Sequence, residues 1–409
     1  MLAAIDCWTR KVKERNVMKY LLKGLLLNAI WVTAVLAQVS FPGSFIFTPD
    51  KQLHGHTHAS SIVECPNGDL IACWYEGEGD KSRDVRIQAA RLVHGDNEWS
   101  KDFLLADTPM LSDNNPCLFV DDQQRLWLFY YTLLGAPEEP WDTAYLRYKI
   151  STQYQDASQP IVWDIQRDLP IIPNELDETI ENLCNDKTLV SQSEMTELCA
   201  RAKEKLKSQL ARRLGWTTRV PPVTLSSGTI LLPMASEIFG VAAMAITPDG
   251  GESWSFTKPI YGYGVEQPTV FERTDGSLVA YFRDFSPAGK IRKSESFDSG
   301  LNWTPIVNTE FPNPGAGIAV LRLQNGNVVL IYNDCEDDPR NSLAITMSDD
   351  DGKTWKWKRH IERVDGEGRF DYPAIIQSQD GRLHATYSFN LKTIKHVVLN
   401  EEWIKAGDQ

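Results

Sequence analysis

The stretch HGHTHASS, residues 54 to 61, sets His54, His56 and His58 at every second position in a chain that holds only seven histidines. Side chains two apart on an extended strand share a face, so these imidazoles are spaced to share a metal, to supply a base, or simply to line a strand. No neighbouring cysteine or carboxylate completes a ligand set, and we expect neither a metal nor a cofactor. His58 lies nearest the following hairpin and has three possible roles there: general base, proton donor or hydrogen-bonding clamp. The cysteines carry no zinc spacing either, since there is no CxxC; Cys65 with Cys73, or Cys184 with Cys199, are the pairs near enough to bridge.

These residues need elements to position them, and the chain supplies a repeat. Six strand-turn-strand phrases recur: SSIVECPNGDLIACWYE, NPCLFVDDQQRLWLFYY, VPPVTLSSGTILLPMAS, EQPTVFERTDGSLVAYFRD, GAGIAVLRLQNGNVVLIYND and DYPAIIQSQDGRLHATYSF. Each reads as a β-hairpin around a polar or glycine-containing turn. A second phrase, TPDGGESW, SFDSGLNW and SDDDGKTW, fits (S/T)xDxGxxW. In it Asp249, Asp298 and Asp350 accept backbone hydrogen bonds, the glycine permits positive φ, and the Trp packs between sheets. Six units with room for four short strands each predict an all-β, six-bladed β-propeller. FIF, residues 45 to 47, is expected to close the ring against TIKHVVL, and residues of about 172 to 215 read as a helical insert in the third blade.

Two further features bound the function. Basic residues precede an apolar run from Gly24 to Ala37, in outline a secretory signal peptide over residues 1 to 37. The expectation is an exported chain, periplasmic or extracellular, without stable membrane insertion once the leader is removed. The net charge of -13 and the lack of a basic run argue against a nucleic-acid partner.

Together the hairpins and Asp-box turns resemble the sialidase (neuraminidase) superfamily of BNR-repeat proteins, from about residue 50 to 403. That resemblance implies a glycan substrate and a site on the propeller axis. By order and spacing it implies Tyr372 as nucleophile, Glu266 as the base that activates it, Arg283 and Arg340 as carboxylate-binding arginines, and Asp80 as acid/base. Arg219 and Trp216 before the third hairpin, and Asn115 before the second, occupy analogous axial positions as substrate contacts. His58 stands where such proteins carry an arginine, and a neutral imidazole cannot form the two-pronged charged grip of a guanidinium. The reading is an exo-glycosidase acting on an acidic terminal sugar and retaining configuration through Tyr372. A propeller polysaccharide lyase using His58 and Tyr372, and a noncatalytic glycan-binding propeller, are the alternatives.

Overall fold

The computed structural model describes residues 43–49, 55–138, 141–186, 193–336 and 339–408. Residues 1 to 37, expected to be a leader, and His54 lie outside the described residues.

Six antiparallel sheets follow one another along the chain, each a meander that begins at the ring axis and ends at the rim. The inner strands are His56–Glu64, Ser112–Val120, Trp216–Thr217 with Val223–Thr224, Val265–Glu272, Ala319–Arg322 and Phe370–Gln377. Blade six is completed by Ser44–Phe45, where Ser44 pairs with His396 and Phe45 with Lys395, so both ends of the ring share one sheet. Such closure hides the sheet edges that would otherwise invite association.

Side-chain pattern follows distance from the axis. In blade two the second strand, Leu126–Leu133, is buried at every residue because blades pack on both its faces. The third strand, Ala144–Ser151, alternates buried and half-buried, and the outermost, Ile165–Asp168, is largely exposed. Trp74, Trp127 and Trp216 are among the largest fully buried side chains, so much of the aromatic content is core between blades.

The three Asp-box turns are near-identical at the rim. Asp249 Oδ1 accepts the Thr247 hydroxyl at 2.8 Å and the Ser253 amide at 2.9 Å. Asp298 and Asp350 repeat this with Ser296 and Asn302, and with Ser348 and Thr354, at 2.7–2.9 Å. Gly251, Gly300 and Gly352 take φ of 93°, 89° and 73°, which lets their amides reach the same hydroxyls.

Between the rim of blade two and the start of blade three run α1, Leu176–Asn185, and α2, Ser193–Lys205. Leu176, Ile180 and Leu183 recur at helical spacing and join Met195 and Ala202 in the core around Trp216 and Phe239. A Cys184–Cys199 disulfide ties the two helices. Cys65 and Cys73 are buried and free, which decides between the two pairs that spacing allowed. Among the described residues no helix is long and apolar enough to cross a membrane.

Candidate active site

Four inner strands carry the same irregularity at their axial end: a bulge between His58 and Ser61, Asn114 and Cys117, Glu266 and Thr269, and Asp371 and Ala374. Within each bulge one non-glycine residue adopts left-handed backbone, Ala59 at φ 54°, Asn115 at 45°, Gln267 at 44° and Tyr372 at 51°. Such conformations cost on the order of 1 kcal/mol or more and persist where the surroundings hold them. Three of the four are followed by proline, Pro116, Pro268 and Pro373, which lacks the N–H that a bulge would leave unpaired. The residue before each bulge faces one on the neighbouring strand: His58 opposite Tyr75, Asn114 opposite Tyr131, Glu266 opposite Arg283 and Asp371 opposite Ser388. One ring of equivalent backbone positions thus brings together side chains from four blades.

Tyr372 is the centre of this ring. Its hydroxyl accepts a hydrogen bond from Arg283 Nη1 at 2.8 Å, and Gln267 Nε2 lies at 3.4 Å. Its ring stacks on His58, centroids 4.2 Å apart, with the Arg219 guanidinium 5.1 Å from its centroid. Arg219 is buried and donates to the carbonyls of Ile318 and Pro373, so it braces the tyrosine from the protein side. Gly317 completes the seat, since a Cβ there would lie 2.7 Å from Tyr372 Cδ1 and 2.9 Å from Arg219 Nε.

His58 is buried, and burial pushes its imidazole down to about 4 against the opposing pull of Asp371 and Asp80. Its Nδ1 lies 2.9 Å from Ser388 Oγ, which also accepts the Ala59 amide. With the imidazole neutral, a hydroxyl donating to Nδ1 leaves the ring proton on Nε2. His56 Nε2 lies against Asp80 Oδ1 and its ring stacks on Tyr75, whose hydroxyl donates to Asp80 Oδ1 at 2.8 Å. Burial alone would raise the Asp80 carboxyl, but the hydrogen bond and charge of His56, with His58 and Tyr75, hold it well below the ordinary range. Among the described residues no group of three or more His, Cys, Asp or Glu is arranged to hold a metal ion.

The second acid behaves oppositely. Burial and the neighbouring Glu237 carboxyl push Glu266 up to about 8, with Arg283 opposing, and its Oε2 is buried with no hydrogen-bond partner among the described residues. Glu237 is raised too, mainly by burial. Arg340, itself at φ 65°, directs Nη1 to Asp371 Oδ1 at 2.7 Å and Nη2 to the Gly315 carbonyl at 2.9 Å.

The structure therefore brings His58, Asp80, Glu266, Arg283, Tyr372 and Asn115 to one axial face, with Arg219 and Arg340 turned toward protein acceptors. Trp216, expected beside them, is core: it packs on Phe239 and donates from Nε1 to the Arg212 carbonyl at 3.1 Å. Tyr75, Tyr131, Glu237, Gln267, Asp371 and Ser388 were not singled out from sequence. Aligning the three prolines after the bulges would have found Gln267 and Asp371.

A family model described as a BNR repeat-like domain matches residues 68–194 and 201–385. A sialidase of Micromonospora viridifaciens is 23% identical over 172 residues, 40% of this chain. The match spans about a quarter, 26%, of that relative's length. Among solved structures, a Hadza microbial sialidase superposes with a TM-score of 0.65 at 16% identity, covering 88% of this chain and 69% of that one. The NanB sialidase of Streptococcus pneumoniae gives 0.64 at 12% identity, covering 89% and 71%. The intramolecular trans-sialidase of Ruminococcus gnavus gives 0.62 at 13%, covering 90% and 99%. At such identities the likeness is one of fold.

Proposed function

The chain belongs to the BNR repeat-like family of sialidase-like propellers, and from that premise we propose that it is an exported exo-glycosidase that removes an acidic terminal sugar from a glycan with retention through Tyr372. The observation that carries the reading is the tyrosine hydroxyl held by Arg283 at the axial bulge, with two carboxyl groups of opposite character on the same face. The leader over residues 1 to 37 and the Cys184–Cys199 bond support an oxidising compartment. The two helices are read as an insertion of the third blade beside the site, since Arg201 of α2 donates to the Glu237 carbonyl at 2.8 Å.

A free phenol, with pKa near 10, is a weak nucleophile at neutral pH. Arg283 at its oxygen and Arg219 under its ring stabilise the phenolate. Glu266, basic near 8, takes the phenolic proton with a smaller mismatch than an ordinary carboxylate. In the first step the phenolate attacks the anomeric carbon, and the glycosidic bond breaks with its electron pair on the leaving oxygen. That oxygen takes a proton relayed through the His56 and Asp80 side chains. In the second, water attacks the same carbon as the bond to Tyr372 breaks with its electron pair on the phenolic oxygen; the water's proton leaves through His56 and Asp80, and the phenolic oxygen recovers its proton from Glu266.

The test is a screen of the purified chain against sialosides, uronic-acid polymers and neutral glycans, read by product mass. A saturated sugar released by the wild type and not by Tyr372→Phe supports the proposal. An unsaturated uronate identifies a lyase, and tight binding with no product identifies a glycan-binding propeller.

A further inference from the structure

Which arginine meets an acidic substrate depends on what each already holds. Arg340 Nη1 donates to Asp371 Oδ1 at 2.7 Å, and Arg369 Nε donates to Asp371 Oδ2. Asp371 has no exposed surface and takes a cation on each oxygen, while the nearby His58 is neutral. A substrate carboxylate that displaced Asp371 from Arg340 would leave a buried, half-paired charge, which is a large penalty. Arg219 is engaged by two carbonyls. Arg283 differs: among the described residues it forms no ion pair, and its Nη1 donates to the Tyr372 hydroxyl at 2.8 Å rather than to a carboxylate or carbonyl.

Asp371 also precedes the left-handed Tyr372, at φ 51°. The strained residue is pinned on both sides, through Asp371 by Arg340 and Arg369, and through the Pro373 carbonyl by Arg219 at 3.2 Å.

We propose that Asp371 is a built-in carboxylate that takes Arg340 and Arg369 out of substrate recognition, positions Tyr372, and leaves an acidic sugar to be met by the single guanidinium of Arg283. The substrate class is then a sugar presenting one acidic group beside the Tyr372 hydroxyl. Its kinetic consequences rest on the hydrolase reading above; the clamp itself does not.

The experiment uses the full chain and its Asp371→Ala and Asp371→Asn variants. Thermal melting is followed in sodium formate and in sodium chloride at matched ionic strength. Both variants melt below the wild type, and formate, a carboxylate that fits the vacated space, raises the melting temperature of Asp371→Ala while leaving the wild type unchanged. On whichever glycan the product screen identifies, both variants lower kcat by about 30-fold with KM within about twofold, and formate restores part of the Asp371→Ala rate. Arg340→Lys impairs an acidic glycoside and its methyl ester equally, whereas Arg283→Lys, which also loses its hold on the Tyr372 hydroxyl, impairs both but the acidic form more.

Formate-insensitive melting of Asp371→Ala, or selective loss of the acidic substrate in Arg340→Lys, overturns the proposal. If Asp371→Ala does not fold, the isosteric Asp371→Asn decides: melting at the wild-type temperature overturns it. Formate rescue without turnover of any glycan would sink the hydrolase reading and keep the clamp; turnover with no rescue would do the reverse.

Discussion

The rim and the axis of this propeller both repeat a backbone device, but they treat side chains differently. At the rim, three turns repeat the Asp, Gly and Trp together with their hydrogen bonds. At the axis, four bulges repeat left-handed backbone while the residue in that conformation is Ala59, Asn115, Gln267 or Tyr372 in turn. Rim turns staple strands, and the three blades that carry the turn use the same staple. The axis is where six similar blades converge on one face, so chemistry there requires the blades to differ. Repeated side chains therefore mark the scaffold, and a repeated backbone with changing side chains marks the site.

The contrast is broken most severely by Tyr372→Phe. Turnover should fall by about 10³-fold or more while glycan affinity stays within a few-fold; retained turnover would return the axis to a structural role.

A second separation lies in pH. The imidazole of His58 falls from an ordinary 6.5 to about 4 on folding, so below pH 6.5 the unfolded chain binds the proton more readily. Its contribution is complete above pH 6.5 and disappears as the pH drops toward 4, an effect on the order of 3 kcal/mol. His384 and His396, stacked in blade six and lowered to about 4 and about 3, act with the same sign. The rim aspartates are held below 3.8, and their contribution is lost only as pH falls below that value. Urea midpoints across this range should drop for the wild type and drop less for His58→Gln.

Activity gives a third, smaller effect. Because Glu266 must lose its proton to accept that of Tyr372, kcat/KM should rise with pH, about tenfold per unit, and level off near 8; Glu266→Gln should abolish the limb. The smallest effect belongs to the rim, where Asp350→Ala removes a side chain bonded to Ser348 and Thr354. Stability should fall by about 1 kcal/mol, as for a lost helix cap, with kcat unchanged.

Much of the scaffold was legible because a propeller writes its period into side chains. The six hairpin phrases and three Asp-boxes are patterns of residue type, and FIF pairs with the last blade through Phe45 as its position implied. The bulges are patterns of φ, which residue type announces only indirectly, through the proline that follows three of them. Position relative to a hairpin was enough to bring Glu266, Arg283 and Tyr372 to one face. It could not show that Arg340 is held by Asp371, because that pairing joins residues 31 apart across the contact between blades five and six. Trp216 misled for a related reason: it begins an inner strand like the axial residues, yet its side chain turns between blades onto Phe239.

The claim that one bulge residue carries the chemistry is tested most directly by trapping. The sugar identified in the product screen, made with a fluorine beside the anomeric carbon and a fast leaving group, should form an adduct that survives digestion and mass spectrometry. The account predicts one added sugar on the peptide containing Tyr372, and none in Tyr372→Phe. An adduct on Asp80 or Glu266 instead, or full hydrolysis by Tyr372→Phe, would contradict it.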